Sequence, residues 1–505
     1  MTRLALLCPL LVLLASAPAA AAETPADCAP CTLRVMTFNI EWGGTHVQFA
    51  SIPEAIVAAR ADIVGVQEPE GNLERLATGL GWHFSRRNHV ISRYPLIDPP
   101  GGDGRFLFVE IAPQQIVAVA NVHLPSDPYG PDRLRAGATP DQVMALEREV
   151  RLPEVAPVLD TLAPIAARGV PVFLTGDFNS PSHADWTEAA VGQVPYRETA
   201  FGWPVSRAIE AAGLRDSWRT VHPDPVAEPG FTWWAARPRI ESYNPSDPRE
   251  RDRIDFVWFA GPASPVSSEI VGEEGEPAAA LSITPWPSDH RAVVSEFRVT
   301  PAPMPVLVTT EKRVQRVGEN VRVRFEAGET GAVVLLQHAE QDGKITERRL
   351  AGGERRGEIE LPTTGFAPGT YRLLLLGADG RTLSRNDFRL RDAAAGASLR
   401  IGPGEFAVGD PLPFSWENAP GNRLDWIAVF DAEAPPESQR YRAYAYVHAE
   451  SGGTLELGAR TAAGEWPLPP GRYVARLLLD DGYGLLAESA PFEIVAPVDR
   501  PGAAH

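Results

Sequence analysis

Six short stretches of this chain end on residues that can hold a hard cation or move a proton. Asn39 follows Thr37-Phe38, Glu68 follows Val66-Gln67, and His123 follows Asn121-Val122. Later come Gly176-Asp177-Phe178-Asn179, Asp255 inside Arg253-Ile254-Asp255-Phe256-Val257, and Ser288-Asp289-His290. Carboxylates and amides are hard oxygen donors, suited to magnesium, manganese or calcium rather than zinc. Two histidines with a partner carboxylate supply proton transfer and stabilise a growing anion. Each piece taken singly has a plainer reading: Gly-Asp-Phe-Asn suits a turn, and His123 suits a satisfied strand-end histidine. Asp255 within an apolar run is harder to set aside, because a buried carboxylate without a partner is costly.

Strands must deliver these residues. Leu33–Ile40, Asp62–Gln67, Phe106–Ile111, Ile116–His123, Val170–Gly176, Arg253–Phe259 and Ala292–Val299 are rich in Val, Ile and Phe and read as strands. Ile52–Arg60 and Gln142–Leu162 return apolar residues at three- and four-residue spacing and read as helices. Polar residues at strand ends, with loops beyond them, are where α/β folds place chemistry.

In this order the pieces resemble the endonuclease/exonuclease/phosphatase (DNase I-like) superfamily. The resemblance rests on the Asn39-Ile40-Glu41 start, the Gln67-Glu68 pair, Val122-His123-Leu124, Ile91-Ser92-Arg93-Tyr94-Pro95, the Gly176–Asn179 run, Arg253–Phe259 and Ser288–His290, over about 34–298. It implies a four-layer α/β/β/α sandwich, two sheets face to face with helices outside. It also implies roles: Glu68 as principal metal carboxylate with Asn39 as ligand or support beside it, and Asp289 as a second metal or supporting carboxylate. Asp177 would orient or deprotonate the attacking water and Asn179 would contact the phosphate. His290 would polarise a phosphoryl oxygen or act as base, Asp255 would hold that imidazole in one tautomer, and His123 would stabilise the phosphate. The cofactor implied is Mg2+, with Mn2+ or Ca2+ as alternatives.

The remaining sequence sets the frame. With 505 residues and a net charge of −18, two or three domains are expected and a broad basic nucleic-acid track is not. Residues 1–22 have the form of a signal peptide: Arg3, an apolar run from Leu4 to Ala15, then Ala20-Ala21-Ala22. No later stretch is apolar enough to span a bilayer, so the chain is expected to be exported, periplasmic or secreted. Pro25-Ala26-Asp27 before Cys28 does not form a lipobox. Cys28 and Cys31 fit a local disulfide, a redox pair or half a metal site; the disulfide is favoured in an oxidising compartment.

The catalytic domain is expected over 32–299. Past the Pro301–Pro305 linker, helical periodicity ends and one all-β unit occurs twice, over 304–392 and 397–497. Pro368-Gly369-Thr370-Tyr371 and Asp379-Gly380 recur as Pro470-Gly471-Arg472-Tyr473 and Asp481-Gly482, both at an offset of 102 residues. These units read as small β-sandwiches that space or pack on the enzyme, or that bind a glycan, a lipid headgroup or a cell-surface polymer.

The expected function is a metal-dependent phosphoesterase acting on nucleic acid or on a small phosphodiester or monoester. One alternative is a sphingomyelinase or phospholipase C-like enzyme. Another is a surface-binding protein carrying a spent hydrolase domain. Arg105 and Tyr129 are candidate substrate contacts, the first to phosphate and the second by stacking, with Arg86, Arg87 and Arg93 as further cations. Phe231-Thr232-Trp233-Trp234 is a candidate aromatic wedge or pocket wall. Two polar loops, Pro125–Gly137 and Ser242–Arg253, are expected to rim the site.

Overall fold

The computed structural model describes residues 31–236, 251–339, 343–349, 354–458 and 463–496. The signal-peptide segment, Cys28 and residues 242–250 of the second rim loop lie outside them. Cys31 is disulfide-bonded.

Residues 31–299 form the expected four-layer α/β/β/α sandwich. In the first sheet Cys31–Asn39 lies between Ile63–Gln67, parallel to it, and Ala292–Val299, antiparallel to it. In the second, Val172–Asp177 lies between Gln115–His123, parallel, and Asp255–Ala260, antiparallel. The C-terminal ends of four strands and the N-terminal ends of two therefore lie at one edge of the sandwich.

Side chains alternate across a strand, and here the alternation sorts the chain into three apolar interfaces. Met36, Phe38, Val64 and Val66 meet the helices Ser51–Ala58 and Leu73–Leu80 through Ile52, Ile56, Leu73 and Leu76. Ala118, Ala120, Val172 and Leu174 meet Leu152–Ala167 and Pro204–Ala211 through Val158, Leu162, Val205 and Ile209. Leu33, Val35, Ile63, Val119, Phe173, Val257, Val293 and Phe297 fill the space between the sheets. Each such buried apolar side chain contributes roughly 1.5–3 kcal/mol.

Toward the common edge the inward-facing positions change from apolar to polar: Leu33, Val35, then Thr37 and Asn39; Val117, Val119, then Asn121 and His123. The first polar layer is closed on itself. Gln67 Nε2 donates to Asn121 Oδ1 at 2.6 Å, Asn121 Nδ2 to the Val66 carbonyl at 2.9 Å, and Thr175 Oγ1 to Asn121 Oδ1 at 3.0 Å. An unsatisfied member would cost about 1–3 kcal/mol. Gly65 makes this layer possible, since a Cβ there would stand 2.0 Å from Thr175 Oγ1.

Two sequence expectations change. Gln142–Leu162 is two helices, Pro140–Val150 and Leu152–Ala167. Pro153 has no N–H to continue the first helix. Arg151 at the break is fully buried, donating to Glu147 and to the carbonyls of Ser126 and Pro128. The 125–137 segment held by that anchor is also not all loop, for Gly130–Arg135 is helical. The second change concerns the Pro301–Pro305 linker. Ala302 and Pro303 pair with Ile116 and Gln115 at the start of Gln115–His123, and Met304 joins the helix-side core. The linker is thus stitched to the domain before it.

The two C-terminal modules share one topology. In the first, Leu307–Thr310, Asn320–Glu326 and Arg356–Pro362 face a five-stranded sheet. In the second, Ser398–Ile401, Leu412–Glu417 and Gly453–Leu457 repeat that small sheet. A short strand pairs in parallel with the last strand in both, Val314–Arg316 with 389–391 and Phe406–Ala407 with 494–495.

Candidate active site

Asn39 Nδ2 donates to Glu68 Oε1 (3.0 Å) and to Asp177 Oδ2 (3.1 Å), bridging the two sheets. Glu68 Oε2 accepts from the Trp42 backbone N–H at 3.0 Å. His123 Nε2 lies 3.8 Å from Glu68 Oε1 and 3.6 Å from Asp177 Oδ2. His290 Nε2 lies 3.6 Å from the same Asp177 oxygen and 3.9 Å from Asp289 Oδ1. Its Nδ1 pairs with Asp255 Oδ2 at 3.0 Å, which fixes the ring as expected of a carboxylate-held imidazole. Asn179 donates from its backbone to Asp177 Oδ1 (2.9 Å) and from its side chain to the Leu124 carbonyl (3.0 Å). Asn39, Glu68, His123, Asp177, Asn179, Asp255, Asp289 and His290 therefore come together.

The backbone there is bent into uncommon conformations. Glu41, Trp42, Glu68, Glu70 and Asn179 have φ between 44° and 51°, costly for side-chain-bearing residues and typical of functional sites. The bend after Asn39 turns the Trp42 amide toward Glu68. The bend at Asn179 returns its amide to Asp177. Gly176, at the end of the expected strand Val170–Gly176, lies within Val172–Asp177, where a Cβ would meet the Val122 carbonyl at 2.5 Å.

Carboxylates outnumber cations in this cluster. Burial raises Asp177, with Asp255 adding to it and His290 and His123 opposing, so that it sits at about 6. Burial pushes the His290 imidazole down, but Asp255, Asp177 and Asp289 outweigh that and hold it well above its ordinary value. Burial likewise opposes the charge on His123, and Asp481, Asp177 and Glu68 overcome it, raising the ring to about 10. The surrounding carboxylates thus favour the charged form of both imidazoles.

Glu68, Asp177, Asp255 and Asp289 have no Lys or Arg in ion-pair contact among the described residues, and Asp255 Oδ1 is buried without a hydrogen-bond partner. This excess of hard, uncompensated oxygen donors fits a divalent cation. Asp177, Asp255 and His290 have ligand atoms all within 4.8 Å of one another. That trio is less suited to the ion than the Glu68 side, because Asp255 and His290 Nδ1 already occupy each other.

The sequence matches the model of the Endonuclease/Exonuclease/phosphatase family over residues 36–290, half of the chain. The chain belongs to that family. Membership supports a hydrolase of the phosphoesterase or nuclease type. An uncharacterized protein of Caenorhabditis elegans is 29% identical over 297 residues, spanning 52% of this chain and 91% of the relative. Among solved structures, an endonuclease/exonuclease/phosphatase from Beutenbergia cavernae is 20% identical, covering 71% of this chain and 100% of its own, with a TM-score of 0.35. A family protein from Bacteroides thetaiotaomicron is 14% identical, covering 54% and 96%, with a TM-score of 0.32.

Other candidates of this endonuclease/exonuclease/phosphatase-family chain fall elsewhere. Tyr129 is buried, its hydroxyl donating to Asp252 Oδ2 at 2.9 Å and its ring edge-on to Trp233. Arg105 pairs with Asp103 at 3.3 Å and touches none of the eight cluster residues. Arg86, Arg87 and Arg93 pair with Glu74, Asp98 and Asp62. Phe231 and Trp234 are buried, and Trp233 lies beside His290 with its indole N–H toward Asp289 (3.4 Å), so this stretch is wall rather than exposed wedge.

The sequence reading missed Asp481. From the second β-module, its Oδ2 reaches His123 Nδ1 at 2.9 Å while Tyr446 donates to its Oδ1 at 2.7 Å. Asp481-Gly482 carried a turn signal in both repeats and nothing more. Its repeat counterpart Asp379 is exposed and accepts from the Arg381 amide. Only docking separates the two.

Proposed function

We propose that the chain is an exported, divalent-metal-dependent phosphoesterase that cleaves a P–O bond by in-line attack of water. The observation that supports this most is the convergence of Glu68, Asp177 and His290 with Asn39 and His123 at one edge of two sheets. Glu68 would hold the ion, with Asn39 orienting its carboxylate and Asp289 as a further oxygen donor. When bound, the ion supplies Lewis-acid polarisation of the phosphoryl group and charge neutralisation. Asp177, at about 6, is poised to take the proton of the attacking water near neutral pH. His290, held as a cation by Asp255, donates to a phosphoryl oxygen and offsets its growing charge. His123, held by Asp481, does so from the other side. The Asn179 side-chain amide gives one hydrogen to the Leu124 carbonyl, which orients the group and leaves its second hydrogen for the phosphate.

Turnover of bis-p-nitrophenyl phosphate with magnesium, with EDTA, and by His290→Ala tests this. Metal-dependent turnover lost in both latter samples is the expected result. Undiminished turnover in EDTA refutes the metal-dependent mechanism. Absence of turnover by the whole chain, with binding to cell envelopes by the 304–498 modules, establishes the surface-binding alternative.

A further inference from the structure

A cavity of about 480 Å³, a volume within the range of small-molecule sites, lies where the catalytic domain and both β-modules meet. None of the eight clustered active-site residues lines it. The edge strand His83–Ser85, with Arg86 and Arg87 after it, forms one wall. Residues 311–314 and Arg391 of the first module and residues 420–422 of the second form the others.

The chain carries 65 acidic and 47 basic residues, yet around this cavity cations lead: Arg86, Arg87, Lys312, Arg313 and Arg391 against Glu74, Asp98 and Glu311. The three carboxylates are already engaged. Glu74 pairs with Arg86 at 2.6 Å, Asp98 Oδ2 accepts from Arg313 at 3.1 Å, and Glu311 meets Arg322, outside the cavity, at 3.4 Å. Arg87 must share Asp98: its Nε lies 3.4 Å from the same oxygen and makes no hydrogen bond. Arg391 reaches only the Asn418 carbonyl, at 3.4 Å, and neither it nor Lys312 has a carboxylate in ion-pair contact among the described residues. Burial lowers the pKa of Arg87, with Arg313 adding to this against Asp98, and burial with Arg316 lowers that of Arg391. Half-buried cations short of counter-charge are costly, and an entering anion removes that cost.

The same walls are not only cationic. Phe84 is 36% exposed, and the half-buried Trp82 lies beside it on the wall. The Ser85 hydroxyl and the His83 imidazole add donors and acceptors. A bare inorganic anion would leave the aromatic surface and these polar groups unused. A sugar ring bearing a carboxylate uses all three, since its C–H face packs on an aromatic ring, its hydroxyls take the polar groups, and its carboxylate matches a guanidinium fork.

We propose that this three-domain junction binds an acidic saccharide, its carboxylate held by Arg87, Lys312 and Arg391 and its ring set against Phe84. The site shares no residue with the catalytic cluster, so it stands whether or not the chain cleaves phosphoesters. Titration calorimetry of the full chain tests it with tetragalacturonate, with the uncharged methyl ester of the same sugar, and with inorganic phosphate. Tetragalacturonate is expected to bind at least about tenfold more tightly than either. Lys312→Ala and Phe84→Ala, both at exposed side chains, should each weaken it at least about fivefold, while Lys312→Arg, which keeps the charge, should stay within about twofold of the parent. Absence of tetragalacturonate binding, or equal binding of the methyl ester, would overturn the proposal. So would unchanged affinity in Lys312→Ala and Phe84→Ala. Phosphate binding as tightly as the saccharide would overturn it too, reducing the cavity to a site for any small anion.

Discussion

Asp255 and Glu68 are both carboxylates at the edge of a sheet, yet their surroundings give them different work. Asp255 spends one oxygen on His290 Nδ1 and so sets which ring nitrogen faces the substrate. Asp255→Asn keeps the shape but offers an amide to that nitrogen, and kcat should fall about a hundredfold or more while the melting temperature changes little. Equal kcat in the variant would remove the imidazole from the mechanism. Glu68 accepts one hydrogen bond on each oxygen, from Asn39 and from Trp42, which leaves a lone pair on each for an ion. Glu68→Gln should raise the magnesium concentration for half-maximal activity at least about tenfold, since metal ligands are seldom replaceable by neutral amides. An unchanged magnesium titration would show that the ion is held elsewhere.

At the scale of the element, what positions the site is a polar gradient along strands of fixed parity. The apolar ends of Cys31–Asn39 and Gln115–His123 lock the sheets together, and the same periodicity then forces Asn39 and His123 to face each other across the gap. Gly65 is the tightest point of that contact. Gly65→Ala drives a methyl group into Thr175 and Asn121, and should destabilise the protein by about 1–3 kcal/mol. Urea unfolding followed by tryptophan fluorescence checks this, and an unchanged midpoint would mean that the sheets separate easily. The strand pattern was legible in the sequence because period-two alternation and Val/Ile/Phe enrichment are local properties. The helix break at Arg151 was not, because the apolar spacing runs across it. What ends the first helix is a proline two residues on, and a buried guanidinium whose partners lie at Ser126 and Pro128.

At the scale of the whole molecule, the second module is joined to the catalytic edge. Besides Asp481 on His123, Asp480 Oδ1 meets His89 Nε2 at 2.5 Å, and Arg423 donates to the Asn121 carbonyl at 2.9 Å. Truncation after Asp392 should therefore lower kcat/KM even for bis-p-nitrophenyl phosphate; full activity in the truncated chain would make the docking incidental. The pair also carries a pH signature. His123 is raised from 6.5 to about 10 in the folded chain, so its stabilising charge is fully present below pH 6.5 and lost as pH rises through about 10. In EDTA, the melting temperature of the parent chain should exceed that of Asp481→Asn most below pH 6.5, and the gap should close toward pH 10. A gap independent of pH would show that Asp481 acts by packing rather than by charge.

The composition of seven strands, the order of the polar residues that end them, and the doubling of the β-unit could be read from the chain itself, because each depends on neighbours a few residues apart or on recurrence at a common offset. That Asp255 needs a partner was also readable, since a charge inside an apolar run demands one, and the family resemblance implied that the partner is His290. The tertiary structure alone decided that one Asp-Gly turn, Asp379, stays in solvent while its repeat, Asp481, enters the active site. It likewise decided that Tyr129, Arg86, Arg87 and Arg93 are occupied by carboxylates of their own. Two copies of a turn look alike in sequence because local geometry makes them alike; which one meets an imidazole depends on how whole domains pack, and no spacing along the chain records that.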